Sequence, residues 1–71
     1  MDYLNQQFSV LHDDVMFYVN PKKKKMQMNN KKHQEIEITY FQGQVQKGFK
    51  TLFVHEPKKE KIINYIRENY K

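Results

Sequence analysis

The segment QEIEITYF, residues 34–41, decides the fold. Ile36, Ile38 and Tyr40 alternate with Glu35, Glu37 and Thr39. A period of two marks a β-strand with one buried and one wet face. Upstream, DVMFYVN alternates in the same way. Val15, Phe17 and Val19 point to one side, Met16 and Tyr18 to the other, and both faces are at least partly covered. Before it comes the short apolar stretch FSVL, residues 8–11, closed by the polar turn HDD at 12–14.

Pro21 has no N–H for a sheet ladder and is expected to end the second strand at residue 20. KMQMN then forms a short strand over 25–29, and NNKK a turn. Beyond QEIEITYF lie two glycines. Gly43 suits a bulge or bend, which extends that strand over 35–45, and Gly48 suits a hairpin turn. The last strand, 49–55, places Leu52 and Val54 on one face and Phe49, Thr51 and Phe53 on the other.

EPKKEKIINYIRENYK supplies the helix, over 57–70. Pro57 fits the first helical turn, where its missing N–H costs nothing, and Glu56 complements the positive helix end. Ile62, Ile63, Ile66 and Tyr70 form one apolar stripe, while Lys58, Lys61, Asn64 and Glu68 fall mainly opposite. The expectation is an α+β fold: a small antiparallel sheet of four or five strands with one C-terminal helix packed on it. No repeat or linker interrupts residues 1–71, which read as one domain.

The strand–Pro–helix ending LFVHEPKKEKIINYIRENY resembles the close of bacterial pleckstrin-homology-like domains, although 71 residues fall short of that whole fold. A three-stranded sheet followed by one helix also resembles the small DNA-binding domains of integrase N-termini.

A chain of this size builds a thin core, and small domains lean on disulfides, metals or oligomers. The absence of cysteine removes disulfides and thiolate metal sites. The N-terminus has no basic leader and the longest apolar run is LFV, so the expectation is a cytoplasmic protein with no membrane partner.

Catalysis needs a positioned nucleophile or a tuned acid and base. His12, Asp13 and Asp14 are adjacent, but such a cluster is more often a polar turn. His33 lies in a lysine-rich turn and reads as exposed to solvent, and His55, just before the helix, suits a surface or capping role. The three histidines show no metal-ligand spacing. Glu35 and Glu37 share the wet face of their strand. The spacing G-x-x-x-x-G at 43–48 is followed by Phe49 where a phosphate-binding loop needs Lys. The expectation is a non-enzymatic protein without metal or cofactor.

The net charge of +5 is unevenly placed: −3 over residues 1–20, +6 over 21–33, −1 over 34–56 and +3 over 57–71. The chain has twelve Lys but one Arg and no Ala, so part of the lysine excess reflects an AT-rich codon bias. That bias does not explain the clustering. Lysines hold phosphates as flexible point charges and give affinity without sequence choice. A nucleic-acid reading, DNA or RNA, assigns Lys22, Lys23, Lys24, Lys25, Lys31 and Lys32 to phosphates, with Lys58, Lys59 and Lys61 extending the track. Gln27, Asn29 and Asn30 lie in the same hairpin and have the amides that read base edges. Phe41, Phe49 and Phe53 are placed to stack on unpaired bases where their face is open. The blander account of PKKKK is an exposed loop whose charge keeps an edge strand from pairing.

The alternative is a protein-interaction or host-protein inhibitor module of viral or mobile-element type, or a homodimer. Tyr3, Phe8, Tyr18, Phe41, Tyr65 and Tyr70 are too many rings for one thin core, and exposed aromatics mark interfaces.

Overall fold

A computed structural model describes residues 4–70. Tyr3 lies outside them. Four strands, β1 Phe8–His12, β2 Val15–Met28, β3 Lys31–Gln42 and β4 Val45–His55, precede one helix, α1 Lys59–Asn69. The strands form a single antiparallel meander in the order β1-β2-β3-β4. The expected α+β architecture is therefore present.

Two-residue turns make the meander compact. Asp13 and Asp14 take φ of 50° and 64°, and Asn29 and Asn30 take 50° and 63°. Positive φ at both central residues matches the right-handed twist of the flanking strands, and Asp and Asn tolerate it best after glycine. The third turn uses Gly43, at φ 62°.

Three boundaries differ from the sequence reading, each for a local reason. Pro21 does not end a strand at residue 20 and no separate strand begins at 25; β2 runs through both. The ladder shifts between Pro21↔Ile36 and Lys25↔Gln34, so Lys22, Lys23 and Lys24 on β2 face only Glu35 on β3. A bulge of this kind absorbs residues that a regular ladder rejects. The partner strand β1 also reaches only Val19, which leaves the outer side of β2 without a strand neighbour at the proline.

The glycines exchange roles. Gly43 makes the turn, and Gly48 lies inside β4 opposite Tyr40. A Cβ at Gly48 would sit 2.7 Å from Tyr40 Oη, so the glycine is there for the ring that lies across it. Pro57 is buried ahead of the helix, not in its first turn: Lys58, with an extended backbone, is the N-cap.

The core gathers Val10, Phe17, Val19, Ile36 and Ile38 from one sheet face with Ile62 and Ile66 from α1. The alternation at 34–41 holds throughout: Ile36 and Ile38 are fully buried. Ile63 and Tyr70 complete the helix stripe at its margin. Phe17, Tyr40 and Tyr70 close one end of the core as a ring cluster, with centroids 4.9 to 5.4 Å apart. The other sheet face has no covering layer among the described residues. Ser9, Leu11, Tyr18, Thr39, Phe49 and Thr51 lie there by strand parity. No helix among the described residues is long and apolar enough to cross a membrane.

Candidate nucleic-acid interface

Beyond His33↔His55 the sheet narrows to two strands. From Gln27 to Lys32, β2 and β3 continue alone as an arm closed by Asn29 and Asn30. The Cα envelope is accordingly elongated, 39 × 20 × 18 Å. Strand parity divides the arm's side chains. Gln27 and Lys32 share the face of Gln34, which is the helix side, whereas Met28 and Lys31 share the face of His33. Lysines thus project from both faces of the ribbon.

The base of the arm is fixed by Gln34, only 2% exposed. Its Nε2 donates to the carbonyls of Leu4 (2.7 Å) and Lys22 (2.8 Å), and its Oε1 accepts from Leu4 N–H (3.0 Å). One buried amide therefore satisfies backbone groups that the bulge and the N-terminal segment leave without a ladder, as burial requires. The bulge in turn presents Lys23 and Lys24 to solvent. Lys22 lies 3.9 Å from Glu37 Oε1 on the open face, a long and half-exposed ion pair of small worth. Lys25 is exposed, and it too has an interaction partner.

The start of α1 reaches the same end of the molecule. Lys61 Nζ donates to the carbonyl of His55, whose ring Nδ1 lies 2.9 Å from the carbonyl oxygen of Lys32. His33 and His55 are paired in register with ring centroids 5.4 Å apart. Lys59 Nζ lies 5.3 Å over the Phe8 ring, and Phe8 pairs with Val19 just ahead of the bulge. Lys58 caps the helix through its backbone, without a side-chain hydrogen bond. Of the nine lysines singled out in the sequence, Lys61 therefore meets Lys32 at the base of the arm through His55, while Lys22 beside Glu37 and Lys59 over Phe8 lie further back along the sheet. The partial positive charge of the α1 N-terminus adds to theirs.

Phe41, Phe49 and Phe53 all face the open side, but the structure brings neither Phe41 nor Phe49 to the arm. Phe41 pairs with Met16 and packs edge-on against Tyr18, at 5.6 Å between centroids. Ten residues of β3 separate it from Lys31, about 34 Å at ~3.4 Å per residue. Phe49 is 64% exposed beside Thr39. Only Phe53, opposite Glu35, approaches the arm. The open face is thus apolar at the Asp13–Asp14 end and charged toward the arm.

His12, Asp13 and Asp14 form the polar turn that the sequence suggests, with His12 Nε2 3.3 Å from Asp13 Oδ2. Among the described residues no three His, Cys, Asp or Glu side chains group to hold a metal. Gln34 and the histidine pair escaped the sequence reading. Gln34 had a signal, since it shares parity with Ile36, Ile38 and Tyr40. The histidine pairing had none, because it depends on the β3–β4 register. Comparison with protein families, curated proteins and solved structures gives no match.

Proposed function

We propose that this protein binds nucleic acid through its phosphates, using the β2–β3 arm and the start of α1. The observation that supports this most is the meeting of the two basic blocks, distant in sequence, at the base of the arm, where Lys61 and Lys32 both contact His55. A two-stranded ribbon has the width that the major groove of duplex DNA admits, and lysines on both its faces suit the phosphates along the two walls. Gln27, Asn29 and Asn30 at the tip supply amides for base edges. The separation of the aromatic rings from the lysines favours a duplex over a stacked single strand.

The test is titration of a labelled duplex and a labelled single strand at two salt concentrations. The wild type is compared with a variant carrying Ser at all four of residues 22–25. The wild type is expected to bind the duplex with a steep salt dependence, and the variant to flatten that log–log slope by up to about 3.6, about 0.9 for each lost phosphate contact. Absence of binding at low salt overturns the proposal.

A protein-interaction role remains the second reading, favoured by one observation. Leu11, Tyr18 and Phe49 are 67%, 50% and 64% exposed on the open face. Binding there would change little with salt.

A further inference from the structure

β4 is one of the two edge strands of the sheet, and the longer one. It pairs with β3 on one side only, and its 11 residues leave a row of N–H and C=O groups unpaired along the other. Such an edge invites strand addition unless a bulge, a proline or an outward charge blocks it. The register shift near Lys47 interrupts only the start of β4. Lys50 does not guard the rest, because its ammonium lies 5.3 Å over the Tyr65 ring on the helix side. Beside this edge runs a groove of about 290 Å³ between β4 and α1, bounded by Leu52, Val54, Ile62 and Tyr65.

We propose that β4 pairs with β4 of a second copy, antiparallel, about a two-fold axis at Thr51. The strand is self-complementary about that residue. Phe49 falls opposite the partner's Phe53 and Phe53 opposite the partner's Phe49, giving two cross-strand aromatic pairs on the open face. Thr51 meets the partner's Thr51, and Lys50 meets the partner's Leu52, so no like charges are opposed. A shift of the axis to Lys50 would place the two Lys50 side chains against each other and lose both ring pairs. The product is a continuous eight-stranded sheet with both helices on one side and the basic arms at opposite ends. This inference does not depend on the nucleic-acid reading.

The chain has no cysteine, which makes the register directly testable. Directly opposed residues in an antiparallel pair have Cα atoms about 4.5 or 5.5 Å apart, within the ~4.4–6.8 Å that a disulfide spans. Sedimentation of the wild type is expected to give twice the 8.8 kDa chain mass. Under oxidised glutathione, exposed Thr51→Cys is expected to cross-link to a dimer, and Tyr18→Cys, on the open face, to stay monomeric on a non-reducing gel. A mixture of Phe49→Cys and Phe53→Cys chains reports the same register without touching Thr51. A monomer mass up to roughly 100 µM, or cross-linking through Tyr18→Cys and not through the β4 positions, overturns the proposal.

Discussion

Gln34 performs for the N-terminal segment what a neighbouring strand would do, exchanging two hydrogen bonds with the backbone of Leu4 and a third with Lys22. Its burial was legible in the sequence, since it sits two residues before Ile36 on the inward parity. Its purpose was not, because the groups it satisfies arise only from the bulge. Tyr70 continues the apolar stripe of the helix, and its surroundings have a consequence for alkaline pH. Burial, the first cause, pushes its phenol up from the ordinary value of 10.0, and Tyr65 and Tyr40 add to the shift. The unfolded chain ionises near pH 10 while the folded phenol stays neutral. Stability is therefore intact below about pH 10 and falls as pH rises beyond it. Lys50, raised above 10.5 chiefly by its contact with Tyr65, acts in the same direction, though solvent screens this exposed group: its contribution is present below about pH 10.5 and lost above its folded value. Urea midpoints measured between about pH 8 and about pH 11 should decline at the top of the range, and Tyr70→Phe should decline less. An equal decline in both would show that Tyr70 is not the group responsible.

At the scale of elements, alternation carried most of the information. β3, the inward faces of β2 and β4, and the stripe of α1 follow the spacing of their apolar residues. Continuity of β2 through Pro21 and four lysines did not, because a bulge and a free outer edge leave no periodic trace. Glycine placement was ambiguous for a related reason: a turn and a close approach both call for Gly. The two are separable by substitution. Gly48→Ala would ordinarily favour a strand, but here the added methyl meets Tyr40 Oη at 2.7 Å and Cζ at 2.9 Å. The Tyr40 ring is held between Phe17 and Tyr70 and has little room to yield. Equilibrium unfolding should show a loss of about 1–3 kcal/mol, typical of overpacking. A neutral or stabilised variant would mean that the ring moves freely.

For the whole molecule, the fold turns a charge pattern along the chain into a polarity in space. The acidic Asp13–Asp14 turn lies at one end of the sheet and the lysine-rich arm at the other. The two basic blocks were legible in the sequence, but their meeting was not, since it depends on α1 running back from His55 across the sheet. The same geometry keeps Phe41 and Phe49 away from the arm, which shared residue type alone could not foretell. The measurement that tests the central claim most directly is two-dimensional amide NMR of the protein during titration with a short DNA duplex. The account predicts shifts concentrated at residues 22–32 and 58–61, with Leu11, Tyr18 and Phe49 unmoved. Shifts confined to the open face, or none at low salt, would contradict it.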